Sequence, residues 1–272
     1  MNPRRIATAL ALSATLVLAA CSSSSTSGSG TTGNGRSGNP SPASPGAGRP
    51  TDAAGLGRLM QSAVARITTA HISLDVNAGG QSLTGSGDEK LSGGKLVAMD
   101  LTESLPAGAG EIRIIIVGGK TYAKLPPALN PSGKPYVLVS ANSTNPVIKQ
   151  LATSLDSALS SASLGSVSAF ITAADSVKLK GTQTIDGVKA THYSVVVNIS
   201  KLPSSLSGRD ALAQSGLSTL PLELYIDDQG RPVQVAENFT VQGQKVDTTV
   251  KVTGYDKPVS ITAPPADQVA TG

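Results

Sequence analysis

Cys21 is the one cysteine among 272 residues, and it closes the run Leu18-Ala19-Ala20-Cys21. A thiol behind small side chains and an apolar stretch is set up for one chemistry: a peptidase cuts just before it and the sulfur carries a diacylglyceryl group. Arg4 and Arg5 supply the positive start of such an export signal, and Ile6 to Ala20 is apolar but shorter than the roughly 20 residues a bilayer span needs. Residues 1–20 therefore read as a cleaved signal peptide of a bacterial lipoprotein, with Cys21 as the lipidation site. Each buried CH₂ of an acyl chain, palmitate for example, contributes about 0.8 kcal/mol, so two or three chains hold a protein at the membrane without help from the polypeptide. The expected location is the extracytoplasmic face of the cell membrane.

The other reactive side chains are sparse. Once Cys21 is acylated no thiol remains, which excludes disulfides, thiolate metal sites and cysteine nucleophiles. His71 and His192 are the only histidines and fall in separate strand-like stretches, far below the ligand density of a metal site or a triad. Both are expected to be ordinary strand residues without a carboxylate cluster nearby. Asp227-Asp228 precedes Gln229-Gly230, where aspartate is favoured for bonding its own backbone, so turn chemistry is expected. Gly79-Gly80 and Gly85-Ser86-Gly87 lack the Gly-Lys-Ser/Thr continuation of a phosphate loop, and no serine sits in Gly-x-Ser-x-Gly. Neither catalytic residues nor a metal is expected, no cofactor beyond the acyl group on Cys21, and no enzymatic activity. Glu237 stands apart: it interrupts the alternating set Val233, Val235, Phe239, Val241 and so is expected to face the core side, at a cavity mouth. An unpaired buried carboxylate is costly, so it should pair with a cation, reach solvent or contact a polar lipid headgroup. A strand-end rim position, or a bulge that shifts the register, is the competing reading.

The elements that must position these residues alternate in period. Leu56, Leu59, Met60, Ala63, Val64 and Ile67 form a helical stripe after the capping candidates Thr51 and Asp52. Strand patterns follow at Ile72 to Val76, Ser82 to Lys90, Lys95 to Leu101, Glu111 to Val117 and Thr121 to Leu125. Asn145-Pro146 opens a helix with Val147, Ile148, Leu151, Leu155, Leu159 and Ala162 on one face, and a second short helix is expected over Val167 to Ala174. Strands resume at Val177 to Ile185, Thr191 to Ile199, Leu220 to Asp227, Pro232 to Val241 and Lys245 to Tyr255. The expected fold is α+β: a strongly curved antiparallel half-barrel of about ten strands, its concave apolar face covered by helices.

Composition sets the domain plan. Loss of Arg4 and Arg5 with the leader brings the formal charge from +4 to +2, too near neutral for nucleic-acid binding. Ser22 to Pro50 holds no apolar residue larger than alanine, so residues 21–50 read as a lipidated tether with a reach of about 30 Å. Residues 51–272 are expected to form one domain. Its apolar positions are mostly Val, Ile, Leu and Ala, with two Phe and no Trp. Small branched side chains fill a wide concave sheet poorly, which leaves two readings open: an acyl-chain cavity, or a normally packed core poor in aromatics. If a cavity is present, Ile114, Leu155, Val197 and Leu224 are candidates to line it.

Four segments resemble the mycobacterial LppX/LprG envelope lipoproteins, which share the LolA/LolB architecture. They are Val117-Gly-Gly-Lys-Thr-Tyr-Ala-Lys-Leu125, Gly181-Thr-Gln-Thr-Ile-Asp-Gly-Val-Lys-Ala-Thr-His-Tyr193, Leu222-Glu-Leu-Tyr-Ile-Asp-Asp-Gln-Gly-Arg-Pro-Val233 and Val250-Lys-Val-Thr-Gly-Tyr-Asp-Lys-Pro-Val259. Tyr225 stands where the family often carries tryptophan. The resemblance implies an actinobacterial envelope protein that binds or transfers acylated lipids or glycolipids between half-barrel and helices, as a monomer. The other function class is a non-enzymatic interaction or sensing lipoprotein that contacts a membrane transporter or sensor with the same fold.

Since the acyl group is the only anchor expected here, Cys21→Ser should move the protein from carbonate-washed membranes to the soluble fraction with an unchanged melting temperature. Retention of the variant in the washed membranes refutes the anchor.

Overall fold

The computed structural model describes residues 48–130, 132–161, 170–204, 209–241 and 243–270. The signal segment, Cys21 and nearly all of the expected tether lie outside the described residues.

Helix α1 (Ala53–Val64) begins where expected because Asp52 is extended and its carboxylate accepts the Gly55 N–H at 2.8 Å. It buries Leu56, Met60, Ala63 and Val64. The strands that follow are β1 (Thr69–Ala78), β2 (Gln81–Ser92), β3 (Lys95–Ser104), β4 (Glu111–Val117), β5 (Lys120–Lys124) and β6 (Tyr136–Val139). After α2 (Pro146–Ser161) come β7 (Ala174–Ile185), β8 (Val188–Asn198), the short α3 (Arg209–Gln214), β9 (Thr219–Ile226), β10 (Pro232–Val241), β11 (Gln244–Thr253) and β12 (Val269–Ala270). All twelve strands join one open sheet in the order β12-β6-β5-β4-β3-β2-β1-β11-β10-β9-β8-β7.

Two expectations are corrected. The sheet has twelve strands rather than about ten, and it is mixed, because β12 pairs parallel to β6 through Val269 opposite Tyr136. Both additional strands are too short, at four and two residues, to display an alternation. Of the short helix expected over 167–174, residues 167–169 lie outside the described residues; Phe170 to Thr172 are helical, and Ala174 already begins β7.

The central pairing joins distant parts of the chain. Ile72, Leu74 and Val76 of β1 face Val252, Val250 and Thr248 of β11 on one side and Gly87, Gly85 and Leu83 of β2 on the other. Gly87 is fixed by close approach: a Cβ there would lie 2.1 Å from the Asp100 carbonyl oxygen and 2.7 Å from the Leu101 Cα. Only a residue without a side chain lets β3 pass.

The recognisable sequence segments turn out to be structural. Asp227 Oδ1 accepts the backbone N–H groups of Gln229 and Arg231 at 2.9 and 2.8 Å, and its Oδ2 accepts Arg231 Nε at 2.7 Å. The Arg231 guanidinium sits 4.5 Å over the Tyr255 ring, and the Tyr255 hydroxyl donates to the Pro232 carbonyl. Asp256 in turn accepts Thr68 N–H and Oγ1–H at 2.8 and 2.9 Å, contacts that hold its carboxyl below the usual range. One polar strap thus ties the β9–β10 turn, the end of β11 and the entry to β1.

Gly87→Ala should lower stability by at least about 3 kcal/mol, because the intruding methyl meets backbone and not a movable side chain. Gly48→Ala, where nothing lies within 4 Å of the added carbon, should stay within about 0.5 kcal/mol of the parent protein. Equal thermal melts of the two variants would show that the close strand crossing is not as drawn.

Candidate functional site

Alternate strand residues place one apolar row set on the inner face of the sheet, defined here as the face that carries Leu74, Val195 and Leu222. Four groups of buried side chains pack on that face, one of them Val64, Ile67, Ala70 and Leu91 at the start of β1, with Val252 against it. Towards β7, Leu56 and Met60 of α1 and Phe170 and Ile171 gather with Tyr193, Val195, Val197, Leu222, Leu224 and Phe239. Towards β6, Ile148 and Leu155 of α2 gather with Met99, Leu101 and Ile114 on one side and Ala123 and Val137 on the other. Between the two wings lie Ile72, Leu74 and Val76 of β1, buried and in none of these groups among the described residues, although Val252, opposite Ile72, packs on the Ala70 group. The adjoining inner positions of β2 are Gly85 and Gly87, which project no side chain.

The four candidate lining residues therefore divide. Ile114 and Leu155 share one cluster, Val197 and Leu224 another, and each is almost fully buried. The structure does not bring the two pairs together. Cys21 lies outside the described residues.

Glu237 keeps the inward parity read from the sequence. A bulge does interrupt β10, but between Pro232 and Gln234, upstream of it. The carboxyl is 4% exposed and sits in mid-strand, opposite Thr248 of β11 and Leu222 of β9. Its Oε2 and the Thr248 Oγ1 are both buried without a hydrogen-bond partner among the described residues. Burial pushes the Glu237 pKa up to about 8, so the group is mostly protonated at neutral pH. Two further inward carboxyls escaped the sequence reading: Glu89, opposite Ala70 and Met99 and raised by burial to about 7, and Glu103, opposite Gly85 and Ile112 and raised by burial. The available signal was parity, since Glu89 alternates with Leu91 and Glu103 with Leu101, but Asp88-Glu89-Lys90 looks like a solvated run.

The histidines lie in strands, and among the described residues each has a single carboxylate partner on a neighbouring strand, His71 with Asp88 at 2.7 Å and His192 with Glu223. His192 also stacks on Tyr225 with ring centroids 4.3 Å apart. Ser194 Oγ donates to Glu223 at 2.9 Å and not to the imidazole, while His192 Nδ1 faces Gln183 Nε2 at 3.3 Å. In this arrangement the imidazole does not serve as a base for that hydroxyl. Among the described residues no group of three or more His, Cys, Asp or Glu is placed to hold a metal ion, and no helix is long and apolar enough to cross a membrane.

No protein-family model matches the chain, and no curated protein matches it. Solved structures do. The lipoprotein LppX of Mycobacterium tuberculosis superposes with a TM-score of 0.51 at 13% identity, covering 77% of this chain and 98% of its own. LprF of Mycobacterium bovis gives 0.48 at 16% identity over 78% and 96%, and a LolA-superfamily protein of Nitrosomonas europaea gives 0.26 at 8% identity over 78% and 96%. The chain has an LppX-like fold.

The buried carboxyl sets a pH dependence whose sign follows from proton binding. An ordinary carboxyl titrates near 4.5 in the unfolded chain, whereas Glu237 holds its proton to about 8 in the folded protein. Between those values the folded state binds more protons, so stability falls as pH rises and the loss is complete above the folded value. Glu237→Gln should flatten the decline in stability between pH 5 and pH 8 by roughly 3–5 kcal/mol at most, with the remaining slope reduced by Glu89→Gln. Denaturant melts across that range check it; an unaltered slope in Glu237→Gln would mean the carboxyl is solvated.

Proposed function

We propose that this protein is a lipid-anchored, extracytoplasmic, non-enzymatic carrier that binds an acylated lipid or glycolipid against the inner face of its sheet and presents it for transport or assembly in the cell envelope. The observation that carries the reading is the stretch between the two wings, where Ile72, Leu74 and Val76 form a buried apolar floor and the facing positions of β2 are Gly85 and Gly87. A hydrocarbon chain admitted there would make dispersion contacts with these aliphatic side chains. On this reading the sheet curls as a half-barrel, α1 and α2 cover its two wings, and Cys21 holds the domain to the membrane through its diacylglyceryl group. The LppX-like fold supports an interior of this kind, and the inward acids and lack of a metal-binding cluster among the described residues give no support to nucleic-acid binding or metal chemistry.

Native mass spectrometry of the chain from residue 21 with Cys21→Ser, followed by organic extraction, tests for a bound lipid. Two substitutions locate it. Leu74→Phe should keep the fold and lose the lipid, because the ring occupies the floor, whereas Val197→Phe, set in a filled cluster, should cost about 1–3 kcal/mol in stability. A protein without extractable lipid, whose Leu74→Phe variant is as destabilised as Val197→Phe, has a filled interior, and contact with a membrane transporter or sensor becomes the better reading.

A further inference from the structure

The inner row that crosses the sheet at Glu237 runs Leu83, Val76, Thr248, Glu237, Leu222, Val195 through five successive register pairings. Four of these are aliphatic, and the two polar members stand side by side in the middle. They do not bond each other: Glu237 Oε2 and Thr248 Oγ1 are both without a partner among the described residues. Buried polar atoms in folded proteins are nearly always paired, so an adjacent unpaired couple in an apolar row calls for a missing third group.

We infer that Glu237 and Thr248 form a polar subsite that binds an uncharged hydroxyl carried on the hydrocarbon chain of the ligand, so that the protein prefers hydroxylated acyl chains to plain ones. This rests on the lipid-binding reading above and narrows its ligand class. The match is chemical. A protonated carboxyl and a threonine hydroxyl can each donate and accept, as a ligand hydroxyl can, so one oxygen between them completes both. An anionic group is disfavoured there, because among the described residues no Lys or Arg lies on the inner rows of β9, β10, β11, β1 or β2. An ammonium group requires Glu237 to ionise, which its burial opposes.

The test uses the chain from residue 21 with Cys21→Ser and measures displacement of a dansyl-labelled undecanoyl ester by chain-matched pairs: methyl oleate against methyl ricinoleate, and methyl stearate against its β-hydroxy derivative. At least one hydroxylated ester should displace the dansyl ester at about a tenfold lower concentration than its plain counterpart. Glu237→Leu and Thr248→Val should abolish that preference while binding of the plain esters persists, and Glu237→Gln, whose amide still donates and accepts, should keep part of it. Should Glu237→Leu fail to fold, Thr248→Val decides, since it exchanges a hydroxyl for a methyl of the same shape. Equal affinity within both pairs, or a preference that survives Thr248→Val, overturns the subsite. Failure of the parent chain to bind any ester overturns lipid binding itself, and the subsite with it.

Discussion

An extended sheet buries its apolar side chains on one face, and everything else in this protein depends on what covers that face. Among the described residues, that face is met by α1, α2, the short α3 through Leu212 and the helical turn at Phe170 and Ile171. Leu56 and Met60 of α1 serve one wing, Ile148 and Leu155 of α2 the other. The strands between them, β1 and β2, carry Ile72, Leu74 and Val76 beside two glycines. Glycine weakens a strand, and its presence at two successive inward positions marks a place where something else must come close. At Gly87 that neighbour is the backbone of β3. At Gly85 a side chain would meet the Glu103 Cγ at 3.1 Å, so the floor stays shallow there because an inward carboxyl already leans over it.

β1 pairs with β11, so the sheet is closed through its middle by segments almost 180 residues apart, and the strap of Asp227, Arg231, Tyr255 and Asp256 locks the same junction. Asp227 is nearly fully buried, and its contacts to Arg231 are charge-assisted as well as local. Rigidity therefore comes from backbone pairing and one polar knot at the edge of the face rather than from dense packing across it.

Most of the frame was legible in the sequence because its signals are local. The α1 stripe, the capping Asp52, ten strands and the turn at Asp227 all depend on residues within a few positions of each other. β6 and β12 were not legible, since four and two residues cannot establish a period, and β12 exists only because β6 offers it an edge. Strand partners are a non-local property, which is why the histidines looked solitary: His71 meets Asp88 only once β1 and β2 pair, and His192 reaches Glu223 across β8 and β9. Parity along a single strand placed Glu237 on the inner face. It could not reveal Thr248 as its neighbour, and it passed over Glu89 because flanking charges disguised the alternation.

Three inward carboxyls raised by burial cut against the stability of the folded chain. Folding gains nothing from Glu237 that leucine would not supply at the same position, and leucine would leave no unpaired oxygen. Local rules broken without local compensation tend to coincide with function, because the missing partner arrives from outside the chain. Glu89 and Glu103 lie on β2 and β3 beside the glycines, while Glu237 stands opposite Leu222 and between Val235 and Phe239, among the side chains of the cluster around Val195 and Leu220. On the proposed reading, the ligand supplies the hydrogen-bond partner that Glu237 and Thr248 lack among the described residues.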